Sequence, residues 1–190
     1  MKFDIKKILW IFRAALNGPF FRKIGPLSYM GKPVSIVGRQ NISLGRNVHI
    51  YPGARIESYN HGSIVIQDNV SISENVHIVA GGGTLVIGSG TLIGPNVFIS
   101  NSDHQYRNVD KRMMEQELVY KDIQIGQDNY IGVGAAILPG TKTGTHVVIG
   151  ANSTVMGVVD NYTVIAGSPA SIIRKYSAVT KEWERINGTN

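Results

Sequence analysis

The sequence contains no cysteine, which excludes disulfides, thiolate metal centres and a cysteine nucleophile, and fits a reducing, cytoplasmic compartment. It also lacks the apolar length needed to cross a bilayer near its basic N-terminus. The run Ile8, Leu9, Trp10, Ile11, Phe12 falls far short of the ~20 residues required, and Arg13 interrupts its continuation. No small-residue cleavage site follows, so the segment does not read as a secretory signal. Glycine is frequent, at 22 residues, but without a Gly-X-Y period, which excludes collagen.

What is present is a chain of 190 residues, 43% hydrophobic, enough for one compact domain with a core. Its formal net charge of +6 suits a polyanionic partner such as nucleic acid, an anionic membrane or a phosphorylated ligand. No nucleic-acid reading motif accompanies the basic residues, so no nucleic-acid partner is expected. Lys2, Lys6, Lys7, Arg13, Arg22 and Lys23 crowd the start of the chain among aromatic and aliphatic residues. Residues 4–16 read as a short helix with apolar and basic faces. Such a helix either caps an open end of the fold or anchors it at a membrane interface through residues 4–23.

The decisive signal is a period of six. Aliphatic residues recur at Leu44, Ile50 and Ile56, at Ile66, Ile72 and Ile78, and at Ile87, Ile93 and Ile99. After a gap the register resumes at Ile125, Ile131 and Ile137, then Thr143, Ile149 and Val155, with Thr143 the single break. Two residues before these positions lie mostly small or β-branched residues such as Val48, Ala54, Val70, Val76, Val97, Ala135 and Val147. An amphipathic helix needs spacings of three and four, and a β-meander needs alternation at two with hairpin turns; neither fits. A six-residue unit makes one short strand and one turn. Three units close a triangular coil, and coils stack through parallel pairing. The pattern predicts a parallel β-solenoid over residues 34–170, an N-terminal segment 1–33, and a tail 171–190 with a short helix at 177–187 around Trp183.

Periodicity alone does not set handedness, and the usual crossover rule favours the right hand. The pattern, however, resembles the hexapeptide-repeat acyltransferases, a left-handed exception. The carriers are Tyr130-Ile131-Gly132, Ile137-Leu138-Pro139-Gly140, Ile149-Gly150-Ala151 and Ile165-Ala166-Gly167-Ser168-Pro169-Ala170, which look like the C-terminal half of the family's sugar O-acetyltransferases. The resemblance spans roughly residues 34–176. It implies a left-handed parallel β-helix, a homotrimer and acetyl-CoA as the co-substrate.

Chemistry in a rigid repeat is expected where the repeat breaks. The breaks are 57–63, 79–84 with its Gly81-Gly82-Gly83 run, and the long polar loop 100–122. His104 opens that loop directly after the strand ending at Ile99. An imidazole titrates near neutrality and can take the proton of a poor hydroxyl nucleophile, a contribution of about 10²–10⁴-fold. In the family a histidine at this point does so; relatives with a second histidine carry it where Ser102 stands here. Asn101 is a candidate oxyanion donor, and Asp103 either orients the acceptor or caps a turn.

The resemblance also implies a donor site. Val133 and Ala151 match positions that contact coenzyme A through their backbone, and Arg174 matches a cation facing its phosphates, with Lys175 or Lys142 available to help. Two departures stand out: a Thr-Lys pair common after the final coil is Met156-Gly157, and a frequent arginine three residues before Arg174 is Ser171. No metal is expected. A carbonic anhydrase on this scaffold needs three imidazoles around an open site, with two of the ligands a few residues apart near this loop, and no histidine follows His104 until His146. Nor does a carboxylate stand near Ala80-Gly81-Gly82-Gly83, where galactoside and maltose acetyltransferases hold an acidic sugar ligand.

These features point to O-acetylation of a sugar in a bacterial surface polysaccharide (O-antigen, capsule or exopolysaccharide) or its lipid-linked precursor, at the inner face of the cytoplasmic membrane. An antibiotic acetyltransferase and a non-catalytic binding solenoid stay open. A serine acetyltransferase would bring a long helical N-terminal domain, and a nucleotide-sugar N-acetyltransferase often brings an N-terminal βαβ unit; neither pattern is seen.

Overall fold

The six-residue period becomes three flat faces. A computed structural model describes residues 5–186; Lys2, residue 4 of the expected helix and residues 187–190 of the tail lie outside them. Strands of two to five residues wind in parallel coils, each contributing one strand to each face. The inward side chains stack in columns. On the first face Leu44, Ile66, Ile87 and Ile125 lie in register. On the second, Met30, Ile50, Ile72, Ile93, Ile131, Ile149 and Ile165 do so. On the third the column is Ile36, Ile56, Ile78, Ile99, Ile137 and Val155. The second set of residues predicted from the period, from Val48 to Val147, is buried beside them.

Thr143, the break in the aliphatic series, has a packing reason. Asn129 occupies a buried position that other coils fill with Val48, Val70 and Val147 or with the smaller polar Ser28, Thr91 and Thr163, and its Nδ2 donates to Thr143 Oγ1 at 2.6 Å. Its Oδ1 accepts from the Val147 N–H at 2.5 Å. A buried amide without partners would cost about 1–3 kcal/mol, and Thr143 joins the Gly126 and Gly144 carbonyls in accepting from this one.

The parallel ladders begin at Lys23, where Lys23–Ile24 pairs with Ser43 and Leu44, about a dozen residues ahead of the expected boundary. In front of this first coil lies α1 (Ile5–Asn17), which ends where Gly18-Pro19 cannot continue it. At the other end the expected helix is absent. Ala170–Ser177 folds back antiparallel on Thr163–Gly167, and Glu182–Arg185 pairs with it in turn. The open edge of the second face offers a row of unpaired backbone groups, and pairing with it outweighs the local helical preference of this charged segment. Trp183 then packs on Tyr176 at 5.6 Å.

Candidate active site

All three interruptions of the repeat fall at one corner. Each lies between a strand of the third face and the next strand of the first: after Arg55–Ser58, after His77–Ala80 and after Phe98–Ser100. They therefore stack in successive coils. Tyr120, from the end of the long loop, lies on the glycine run: a Cβ added to Gly81 would sit 2.8 Å from Tyr120 Cε1 and 2.9 Å from Ser102 Cβ, and one on Gly82 would meet the same ring at 3.1 Å. The Tyr120 hydroxyl accepts a hydrogen bond from Asn60 Nδ2 at 3.0 Å, which ties the loop to the first interruption as well. Three consecutive glycines are the sequence trace of this ring, but the ring itself lies far along the chain and was not legible from them.

The long loop is an ordered arm. Ser102–His104 pairs antiparallel with Leu118–Tyr120, placing His104 opposite Leu118. Gln116, buried within the arm, donates to the Lys111 carbonyl and accepts from the Asn108 N–H, both at 3.3 Å. His104 is exposed on this arm. Asp103 is exposed too, and its Oδ1 accepts the His104 N–H at 2.8 Å within this strand. Asn101 corrects an expectation. It is completely buried, its Oδ1 accepts the Gly81 N–H at 2.9 Å, and its Nδ2 donates to the Gly82 carbonyl. An amide enclosed in this way latches the arm to the glycine run and has no path to a substrate oxyanion.

The donor-site candidates lie elsewhere. Val133 and Ala151 occupy the corner between the second and third faces in consecutive coils, both exposed, with the Asn152 N–H donating to the Val133 carbonyl at 2.8 Å. Gly132 permits this stacking, since a Cβ there would lie 2.7 Å from the Ala151 nitrogen. The result is an edge of backbone and small side chains, which suits the narrow pantetheine arm of a coenzyme A thioester. Arg174 and Lys175 are exposed on Ala170–Ser177, the strand added to the second face. Lys175 is engaged with Asp160 at 3.3 Å, whereas Arg174 pairs across the sheet with Val164 and Arg185. Within one chain the width of the third face, roughly 15 Å at ~3.3 Å per residue, separates the His104 corner from the Val133–Ala151 corner.

A charged cluster on the third face went unnoticed in the sequence because Ser35, Glu57 and His77 lie about twenty residues apart. Glu57 is 7% exposed. It accepts from Ser35 Oγ, meets His77 Nε2 at 3.2 Å and lies 3.5 Å from Arg55 Nε. Burial alone would raise its carboxyl, but the hydrogen bonds from Ser35 and His77, with the charges of His77 and Arg55, outweigh that and hold it below its ordinary value. Another histidine is structural. His49 stacks on Tyr29 at 4.3 Å, and burial first, then the charge of Lys7, lowers its pKa.

No protein-family model matches the chain. It is 38% identical over 164 residues to the Escherichia coli K12 protein named for lipopolysaccharide-biosynthesis O-acetyl transfer, WbbJ, covering 80% of this chain and 81% of that protein. It is 28% identical to the galactoside O-acetyltransferase of the same organism, over 90% of this chain and 72% of that one. Among solved structures, the Bacillus cereus N-acyltransferase AntD, crystallised with dTDP and 3-hydroxybutyryl-CoA, superposes with a TM-score of 0.76 at 18% identity, covering 88% of this chain and 90% of its own. The solenoid is thus the left-handed parallel β-helix of acyltransferases. The chain belongs to the hexapeptide-repeat acetyltransferases.

Proposed function

We propose that this acetyltransferase moves the acetyl group of acetyl-CoA to a sugar hydroxyl of a surface polysaccharide or its lipid-linked precursor, with His104 as general base. The observation that carries the reading is the placement of His104 on an ordered arm that projects from the one irregular corner of an otherwise uniform coil. The relative named for lipopolysaccharide O-acetylation, matched over most of both chains, supports the acceptor class. The imidazole takes the hydroxyl proton as the sugar oxygen attacks the thioester carbonyl. The tetrahedral intermediate then collapses, the C–S bond breaks, and the imidazolium returns its proton to the departing thiolate. Backbone N–H groups remain as oxyanion donors now that Asn101 is enclosed.

The two corners that hold His104 and the donor edge meet only between chains. A homotrimer with three-fold symmetry would bring the arm of one protomer against the Val133–Ala151 edge of the next, and Arg174 would face the nucleotide phosphates. The test is acetyl-CoA consumption by wild type and His104→Ala on a panel of surface glycans, lipid-linked oligosaccharides and antibiotics, with the products weighed by mass spectrometry. A loss of about 10²–10⁴-fold with acetyl-CoA binding retained is expected. Undiminished transfer by the variant, or transfer to antibiotics alone, overturns the reading.

A further inference from the structure

The charge of this protein is not spread along its coil. The described residues 5–58 hold nine lysines and arginines against one carboxylate, Glu57, a net +8. As the whole chain is +6, the remainder is net −2. Residues 5–58 comprise α1 and the first two coils, so the positive charge is collected at one pole of the solenoid.

That pole is apolar as well. α1 turns Trp10 and Ala14 towards the first coil: Ala14 is buried, and Trp10 packs against Tyr29 at 5.8 Å and Tyr51 at 5.7 Å. Arg13 Nη1 donates to the Met30 carbonyl at 3.3 Å. The helix thus packs on the coil through this face. It also leaves the opposite face bare, with Leu9 60%, Phe12 64% and Leu16 75% exposed at helical spacing, and Phe20 beside them in the following turn. Leu27, in the first coil, is a further large apolar side chain left in solvent. It is 72% exposed and holds a left-handed backbone conformation, at a turn where the next coils carry Asn47 and Asn69.

We propose that this pole docks on an anionic phospholipid surface. Large apolar side chains on one helix face, flanked by the exposed cations Arg22 and Lys23, suit a layer in which acyl chains lie just beneath negative headgroups. Charge decides against a second copy of the chain as the occupant, because a symmetric contact would press two such positive poles together. No helix among the described residues is long and apolar enough to cross a membrane, so the contact is interfacial. The inference stands apart from the acetyl-transfer reading, since docking and turnover on a soluble glycan are read separately.

The experiment is flotation of the full-length protein with vesicles of phosphatidylcholine alone or mixed with phosphatidylglycerol. Wild type floats with the anionic vesicles, about tenfold more than with neutral ones at low salt, and is released as salt is raised. Leu9→Gln/Phe12→Gln/Leu16→Gln keeps good helix formers at positions already in solvent and loses about tenfold or more of the binding. Arg22→Glu/Lys23→Glu, outside the helix, loses the preference for anionic lipid. Wild type that stays unbound overturns the proposal, as does equal flotation of the Gln variant. A fall in oligomeric state of that variant by light scattering would assign the face to another protomer instead, and would likewise overturn it.

Discussion

Two corners of this coil repeat one short turn in most coils, and the third departs from it in three successive coils. Where the second face passes to the third, Asn75, Asn96, Gly134 and Asn152 each take a left-handed conformation. Each donates its backbone N–H to the coil before it, at 2.8–3.2 Å. Asparagine and glycine are the residues that tolerate this geometry, which explains why they recur there. At the corner from third face to first, the same chain inserts first a short loop, then three glycines, then a 23-residue arm spanning 100–122. Uniform corners transmit stacking from coil to coil; the uneven one is free to carry side chains that the stack does not need.

Mutations can sharpen that contrast. The largest expected effect, the loss of transfer at His104, should leave thermal unfolding unchanged, because the side chain is exposed and outside every column. Ile93→Ala does the reverse. Ile93 is fully buried between Ile72 and Ile131, and its truncation should cost about 2–5 kcal/mol in denaturant unfolding. A cost below about 1 kcal/mol would mean that the column tolerates a void, contrary to the contrast drawn here.

Gly81→Ala tests the uneven corner itself. Its Cβ cannot coexist with the Tyr120 ring and Ser102 in their present places, so the arm must lift. Transfer should fall by about 10–100-fold with a stability change well below that of Ile93→Ala, since the displaced groups lie outside the core. Full activity in this variant would show that the arm's seat does not position His104.

The smallest effect concerns pH. Because the Glu57 carboxyl is held below its ordinary value of 4.5, its ionised form stabilises the fold above that value, and the contribution disappears as pH falls through the lowered one. Glu57→Gln should therefore be less stable than wild type at neutral pH, with the gap closing as the pH falls below 4.5 and through the lowered value. A gap that persists unchanged in acid would place the effect in packing and not in charge.

Much of the architecture was legible because a six-residue period encodes its own tertiary neighbours: the residue that stacks on Ile72 is found at the same phase in the next coil. Left-handedness came with the family resemblance. The position of His104 was legible for a related reason, since a break in a strict repeat stands out. The charged cluster that joins Ser35 and His77 to Glu57, the ring over Gly81 and Gly82 and the enclosure of Asn101 were not, because each joins residues about twenty or more positions apart with no period linking them. The tail shows the same limit, for its local pattern favoured a helix while an open sheet edge offered backbone partners.

What the sequence by itself determined, then, was the coil, its core columns, the class of chemistry and the residue to test for it. The tertiary structure decided that three separate interruptions share one corner, that His104 and the Val133–Ala151 edge occupy different corners, and that α1 covers the coil with one face and leaves an apolar one outward. Periodic burial acts residue by residue and is written along the chain. Side-chain convergence across coils depends on which segments the fold brings to the same edge, and only the folded chain contains that information.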